Sequence, residues 1–202
     1  MQNPLLLLLL TAAAIYLAKL WRDDLRAAQA GAANPRAFPG AAPASVRAVA
    51  IAMAGAIVLV TAETLGELRL GLAAQQSHIT WLFGAYTLAA AVIEELIFRG
   101  WLVIEGRGRA ALWAGVVGAS VVFAALHPFL WRWDDAGFAL TLTTKGWFSA
   151  AAVFAASLWF YAARFAPWNP ARSLLPCFAA HAAKNLAVLA VKFAQGYVVG
   201  WW

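Results

Sequence analysis

Charge is scarce in this 202-residue chain: Asp, Glu, Lys and Arg make up 12% of it, and hydrophobic residues 64%. Soluble domains carry about 25% charged and about 45–50% apolar residues, so an ordinary water-soluble fold is excluded and an integral membrane protein is indicated. Cysteine is nearly absent. Cys177 stands alone in an apolar run, so no internal disulfide is possible and the redox compartment stays unmarked. A phosphate-binding loop is missing too: Gly106 and Gly108 lie in a basic turn without the Walker pattern. There is no H-E-x-x-H, the usual zinc-protease spacing, and no internal repeat of the kind many carriers show. The net charge of +6 would suit a nucleic-acid binder. However, the basic residues fall mostly in short loops between apolar runs, the pattern of membrane topology, and nucleic acid is not expected as a partner.

What is present is a series of six apolar runs, over residues 5–20, 46–65, 80–104, 110–126, 146–165 and 174–193. About 20 helical residues cross a hydrocarbon core of ~30 Å. The expectation is therefore an all-α polytopic transmembrane bundle of about six spans, one membrane domain over 1–202. The first run has its basic residues at its end, opposite to a cleaved leader, and reads as an anchor helix. Residues 22–45 read as a loop that starts with a short interfacial helix, and 129–145 as a polar-aromatic loop. The third run is longer than a crossing needs and is expected to be tilted or to extend beyond the bilayer. Odd-to-even turns hold Lys19, Arg22, Arg26, Arg36, Arg47, Arg107, Arg109, Arg164 and Arg172, against Arg69, Arg132, Lys145 and Lys192 on the other side. The positive-inside rule makes the first set cytoplasmic and both termini external. Eleven Trp residues suit interfacial anchors.

Few strongly polar side chains survive inside these runs: Glu94, Glu95, Arg99, His127, His181, Lys184, Asn185 and, near an end, Lys192. Ionisable groups at membrane depth are costly and suggest function by default. Glu95 and Arg99 are four apart and can pair on one helix face, as can Phe123 with His127 and His181 with Asn185. Glu94 lies about 100° round from Glu95, so one carboxylate can face a site while the other holds Arg99. Counting helical rise from the cytoplasmic turns puts Glu94 and Glu95 at ~15 Å, His181 at ~13 Å and His127 at ~27 Å. By that count His127 stands apart. Lys184 and Lys192 are expected to snorkel or to face water.

The bland readings are a structural Glu95–Arg99 pair, an interfacial His127, and interhelical hydrogen bonds from His181 and Asn185. Against them stands the set: two Glu, two His and an Asn on three spans. A carboxylate and an imidazole can activate water as general bases, while a second imidazole and a carboxamide can donate to an oxyanion. That combination suits hydrolysis of an acyl bond, most plausibly a peptide. A Glu with two His can alternatively bind zinc. Cys177, four residues before His181, is a remote candidate nucleophile, with nothing in the sequence to lower its thiol pKa.

Glu94-Glu95-x-x-x-Arg99, Phe123-x-x-x-His127 and His181-x-x-x-Asn185 resemble, in order and separation, the three motifs of the CAAX protease and bacteriocin-processing family of intramembrane endopeptidases. The resemblance covers a core over 80–193. It implies that Glu94 activates water with His127, that His181 and Asn185 form the oxyanion hole, and that Glu95 and Arg99, with Phe123, support the site. It implies a glutamic-type protease without a cofactor, zinc being the alternative. The partners implied are the lipid bilayer and a membrane-associated protein or peptide, matured or relieved of a C-terminal sorting signal. The Ala- and Trp-rich composition suggests a bacterial inner (plasma) membrane. Two other readings are carried: a non-catalytic immunity or scaffold protein that binds a peptide in the same cavity, and a small proton-coupled transporter.

Overall fold

The computed structural model describes residues 3–32 and 34–202, and six long helices dominate it: α1 (Pro4–Gln29), α2 (Val46–Arg69), α3 (Trp81–Glu95), α4 (Arg109–Leu126), α5 (Thr144–Phe165) and α6 (Leu175–Ala194). All six, α3 together with the turn that follows it, are long and apolar enough to cross a membrane. Local chemistry starts them. Asn3, Ser45, Thr80 and Thr143 are N-caps whose side chains accept from the first-turn amides of α1, α2, α3 and α5, satisfying donors that a helix start leaves unpaired. Pro4 and Pro176 sit in the first turns of α1 and α6, where a missing N–H costs nothing. The start of α3 is closed further by the chain's end. Trp81 and Leu82 donate to the carbonyls of Gly200 and Trp201, and Ile79 pairs with Val198 in a parallel bridge.

Two expected boundaries change. The helix expected at the start of residues 22–45 is not a separate one: it continues α1, which runs unbroken to Gln29. The 129–145 loop contains a hairpin, β1 (Trp131–Asp134) antiparallel to β2 (Gly137–Leu140), with Trp131 opposite Leu140 and Asp134 opposite Gly137. Its alternation is only four residues long, too short to stand out among the aromatics.

Large apolar side chains such as Leu5, Leu9, Ile15, Val58 and Val121 are exposed, as they must be when lipid is the solvent. Close approach of small residues holds the interior together. Ala48, Ala52 and Ala56 form a wholly buried stripe four residues apart on α2, a spacing that brings helix backbones near each other. Gly55 completes it: a Cβ there would sit 2.1 Å from the Trp159 ring, and Trp159 Nε1 donates to the Ala52 carbonyl at 2.8 Å. α2 packs against α5 and α6, α3 against α1 and α6, and α4 against α5.

The turns sort onto two ends. Glu105, between α3 and α4, receives Arg164 at 3.4 Å and Arg172 at 3.1 Å from the α5–α6 end. The α1–α2 connection joins them through Leu174 N to Gly40 O and Ser173 Oγ to Ala42 O. The α2–α3 connection, the α4–α5 connection and the end of α6 meet at the opposite end.

Candidate active site

The site is built where α3 stops being an α-helix. The third span does not continue as α-helix to 104: residues Leu96–Trp101 form a π-helical turn. Such turns are rare and recur at functional sites. The wider winding frees carbonyls, and α5 takes them. Tyr161 Oη donates to Phe98 O at 2.6 Å and to Leu102 O at 3.2 Å, while Arg164 Nη1 donates to Gly100 O at 3.2 Å. Those partners lie about 60 residues downstream, so local sequence does not announce the turn.

Arg99, inside this turn, has no exposed surface. Its Nη1 donates to Glu95 Oε1 at 3.1 Å, and its Nη2 to Ser157 Oγ at 2.6 Å and Ser157 O at 3.2 Å. Ser157 donates onward to Ser120 at 2.9 Å. The guanidinium also lies over the rings of Phe123 (4.5 Å), Tyr161 (4.9 Å) and Phe160 (5.1 Å), where the faces of aromatic rings attract a cation. Glu95 is equally buried and uses the same Oε1 twice, toward Arg99 and, at 2.7 Å, toward Nδ1 of His181.

The adjacent carboxylate differs. The Glu94 side chain is 33% exposed, and its nearest charged partner is Nε2 of His181 at 3.7 Å. That is beyond hydrogen-bond range, and Glu94 Oε2 has no hydrogen-bond partner. His181 thus stands between the two glutamates, one nitrogen toward each. Its ring is stacked on Phe160, centroids 4.7 Å apart and 21° between planes. Nε2 carries a hydrogen either when His181 is an imidazolium or when Glu95 holds the Nδ1 contact as a carboxylic acid.

His127 follows the last residue of α4. Its Nδ1 lies 2.8 Å from Phe123 O. A carbonyl only accepts, so Nδ1 bears the proton and Nε2 keeps its lone pair. Burial holds the pKa of His127 below the ordinary histidine value, against the opposing pull of that hydrogen bond, so a neutral imidazole is favoured. Phe123 lies between the two histidines, 4.9 Å from His127 and 6.1 Å from His181 by ring centroids. Asn185 Nδ2 donates to Thr87 O at 2.9 Å, which leaves its second amide hydrogen free.

Glu94, Phe123, His127, His181 and Asn185 all line one cavity of about 760 Å³, while Glu95 and Arg99 lie behind its wall. His127 therefore shares a cavity with Glu94, His181 and Asn185, although the count of helical rise set it apart. That count ran at 1.5 Å per residue through 102–108, which is not helical, and an extended chain covers up to ~3.3–3.6 Å per residue. Cys177 is wholly buried, off the cavity wall, and donates to Phe160 O at 3.3 Å, which removes it as a nucleophile. Lys184 and Lys192, expected to snorkel or to face water, line the same cavity.

Sequence reasoning also passed over the far end of the cavity. There Glu67 accepts from Lys145 and Gln76, and Lys192 donates to Gln76 Oε1 at 2.9 Å and Ser77 O at 2.7 Å. The period-four match of Glu63, Glu67 and the polar residues after α2 was the available signal. Among the described residues, no three His, Cys, Asp or Glu side chains are grouped so as to hold a metal ion.

A family model for type II CAAX prenyl endopeptidase Rce1-like proteins matches residues 76–187. The chain belongs to the Rce1-like family. No curated protein and no solved structure matches it significantly. The Rce1-like match runs from the α2–α3 connection into α6 and includes every residue of the three motifs. The family implies a protease of the CAAX type, and six helices long and apolar enough to cross a membrane suit a membrane-associated substrate and a lipid bilayer.

Proposed function

We propose that this Rce1-like chain is a glutamic-type intramembrane endopeptidase in which Glu94 and His127 activate the attacking water. The observation that carries this reading is the convergence of Glu94, His127, His181 and Asn185 on one cavity within the bundle. Water is held between the Glu94 carboxylate and the unprotonated Nε2 of His127. Glu94 takes the proton as the water oxygen bonds to the peptide carbonyl carbon. The oxyanion that forms receives hydrogen bonds from the free Asn185 amide hydrogen and from Nε2–H of His181, groups fixed in place before reaction. The C–N bond then breaks as Glu94 returns the proton to the leaving nitrogen. Glu95 and Arg99 take no part in proton transfer and act as positioning residues: they fix His181, and Phe123 spaces the two histidines.

No step requires a cofactor. The proposed substrate is a membrane-associated protein or peptide, cut for maturation or to remove a C-terminal sorting signal. The proposed location is a bacterial inner membrane with the Glu105 end cytoplasmic, and the proposed catalytic core is 80–193. The test is cleavage of a membrane-anchored peptide library by full-length protein reconstituted in lipid vesicles. Glu94→Ala and His127→Ala are each expected to remove at least about 99% of the rate, the lower end of general-base contributions, with folding intact. Undiminished cleavage by Glu94→Ala would overturn the mechanism. Normal biological protection by an uncleaving Glu94→Ala variant would instead favour a binding protein.

A further inference from the structure

The hairpin between α4 and α5 carries its large apolar residues on one face. Trp131 is paired with Leu140 and Trp133 with Phe138, while Arg132 is paired with Ala139 and Asp134 with Gly137. Directly opposed residues point to the same side of a two-stranded sheet, and successive residues to opposite sides. Trp131, Trp133, Phe138 and Leu140 therefore share a face. Their ring contacts agree: Phe138 lies 6.2 Å from Trp131 and 6.3 Å from Trp133 by centroids. The other face holds an exposed ion pair, Arg132 with Asp134 at 3.2 Å. Among the described residues nothing covers the apolar face: Trp133 is 76% exposed, Leu140 65% and Phe138 58%.

Its place in the fold selects what covers that face. α4 has 18 residues and so spans about 27 Å, close to the ~30 Å of a bilayer core. Both stems of the hairpin are short: residues 127–130 lead in from α4, and 141–143 lead out to α5. Trp131 Nε1 also donates to Ala125 O at 2.8 Å, a carbonyl that the end of α4 leaves open. The hairpin is thus tied to the level at which two spans leave the hydrocarbon. Four strand residues reach about 13 Å, further than the ~5–8 Å depth of one headgroup layer. Upright, the hairpin would push Trp133 and Phe138, next to its tip, into water. Lying flat, it sets all four apolar side chains at headgroup depth, where Trp is favoured, and turns the ion pair outward. Exposed Leu126 and Leu142 flank it along the two stems.

We propose that the hairpin over Trp131–Leu140 is a lipid-docking element that lies flat in the headgroup layer, with Trp131, Trp133, Phe138 and Leu140 facing the bilayer. The proposal is independent of the hydrolase reading, because lipid contact needs no turnover. The full chain is reconstituted in phosphatidylcholine vesicles with a nitroxide on one introduced cysteine. Phe138→Cys and Leu140→Cys report on the apolar face, and Arg132→Cys and Ala139→Cys on the other. Native Cys177 is buried, and the unmutated chain serves as the blank. Relaxation of each label is measured with oxygen, which concentrates in lipid, and with a water-soluble nickel chelate. The oxygen-to-nickel ratio is expected to be several-fold higher at 138 and 140 than at 132 and 139. A second measurement needs no label: the fluorescence lost in Trp133→Phe should be quenched by lipid brominated near the headgroup and spared by aqueous iodide. A ratio equally low on both faces places the hairpin in water and overturns the proposal. A ratio equally high on both faces overturns the one-sided seating. Labels at 138 and 140 that neither reagent reaches reveal a covering protein surface, which overturns it too. So does iodide quenching of Trp133 without bromine quenching.

Discussion

Replacing Glu95 by alanine separates the two adjacent carboxylates by their physics. Glu95 has no exposed side-chain surface and holds both Arg99 at 3.1 Å and His181 at 2.7 Å, whereas Glu94 is 33% exposed and approaches only His181, at 3.7 Å. Removing one member of a buried ion pair strands the other and costs about 3–5 kcal/mol. Arg99 would retain Ser157 and its aromatic cage but no anion. Glu95→Ala is therefore expected to lower stability by an amount in that range, and Glu94→Ala by less than about 1 kcal/mol, because it strands no cation. The Glu95→Leu, Arg99→Met double variant completes the cycle. With neither charge left to desolvate, it should lose less than Glu95→Leu alone, a coupling of at least about 1 kcal/mol. The assay is thermal and denaturant unfolding of the purified chain in one detergent, with cleavage measured in parallel. Equal destabilisation by Glu94→Ala and Glu95→Ala, or additivity in the double variant, would refute the division of labour between the two glutamates.

Two further outcomes are expected. Cleavage should persist in strong chelator, with no zinc found by elemental analysis of the active protein; loss of activity that zinc restores would replace the glutamate mechanism with a metal one. Gly55→Val should destabilise the bundle by about 1–3 kcal/mol, the usual cost of overpacking, because its side chain enters the Trp159 ring; unchanged unfolding would show that α2 and α5 do not meet as closely as described.

Sequence alone determined the membrane class, the six helices and the three polar motifs. Apolar runs of crossing length have no other stable form in lipid, and pairs at i and i+4 share a helix face by geometry. It also separated Glu94 from Glu95, since neighbours on a helix point about 100° apart. Tertiary structure decided the rest. The π turn at Leu96–Trp101 rests on Tyr161 and Arg164, whose hydroxyl and guanidinium take carbonyls from a distant helix. His127 lines the cavity although the count of rise set it apart, because rise per residue cannot be counted across residues 102–108, which are not helical. Periodicity says which residues share a face of one helix. Which faces enclose a common space depends on how helices pack, and that is set by contacts such as Gly55 on Trp159 between residues about a hundred positions apart.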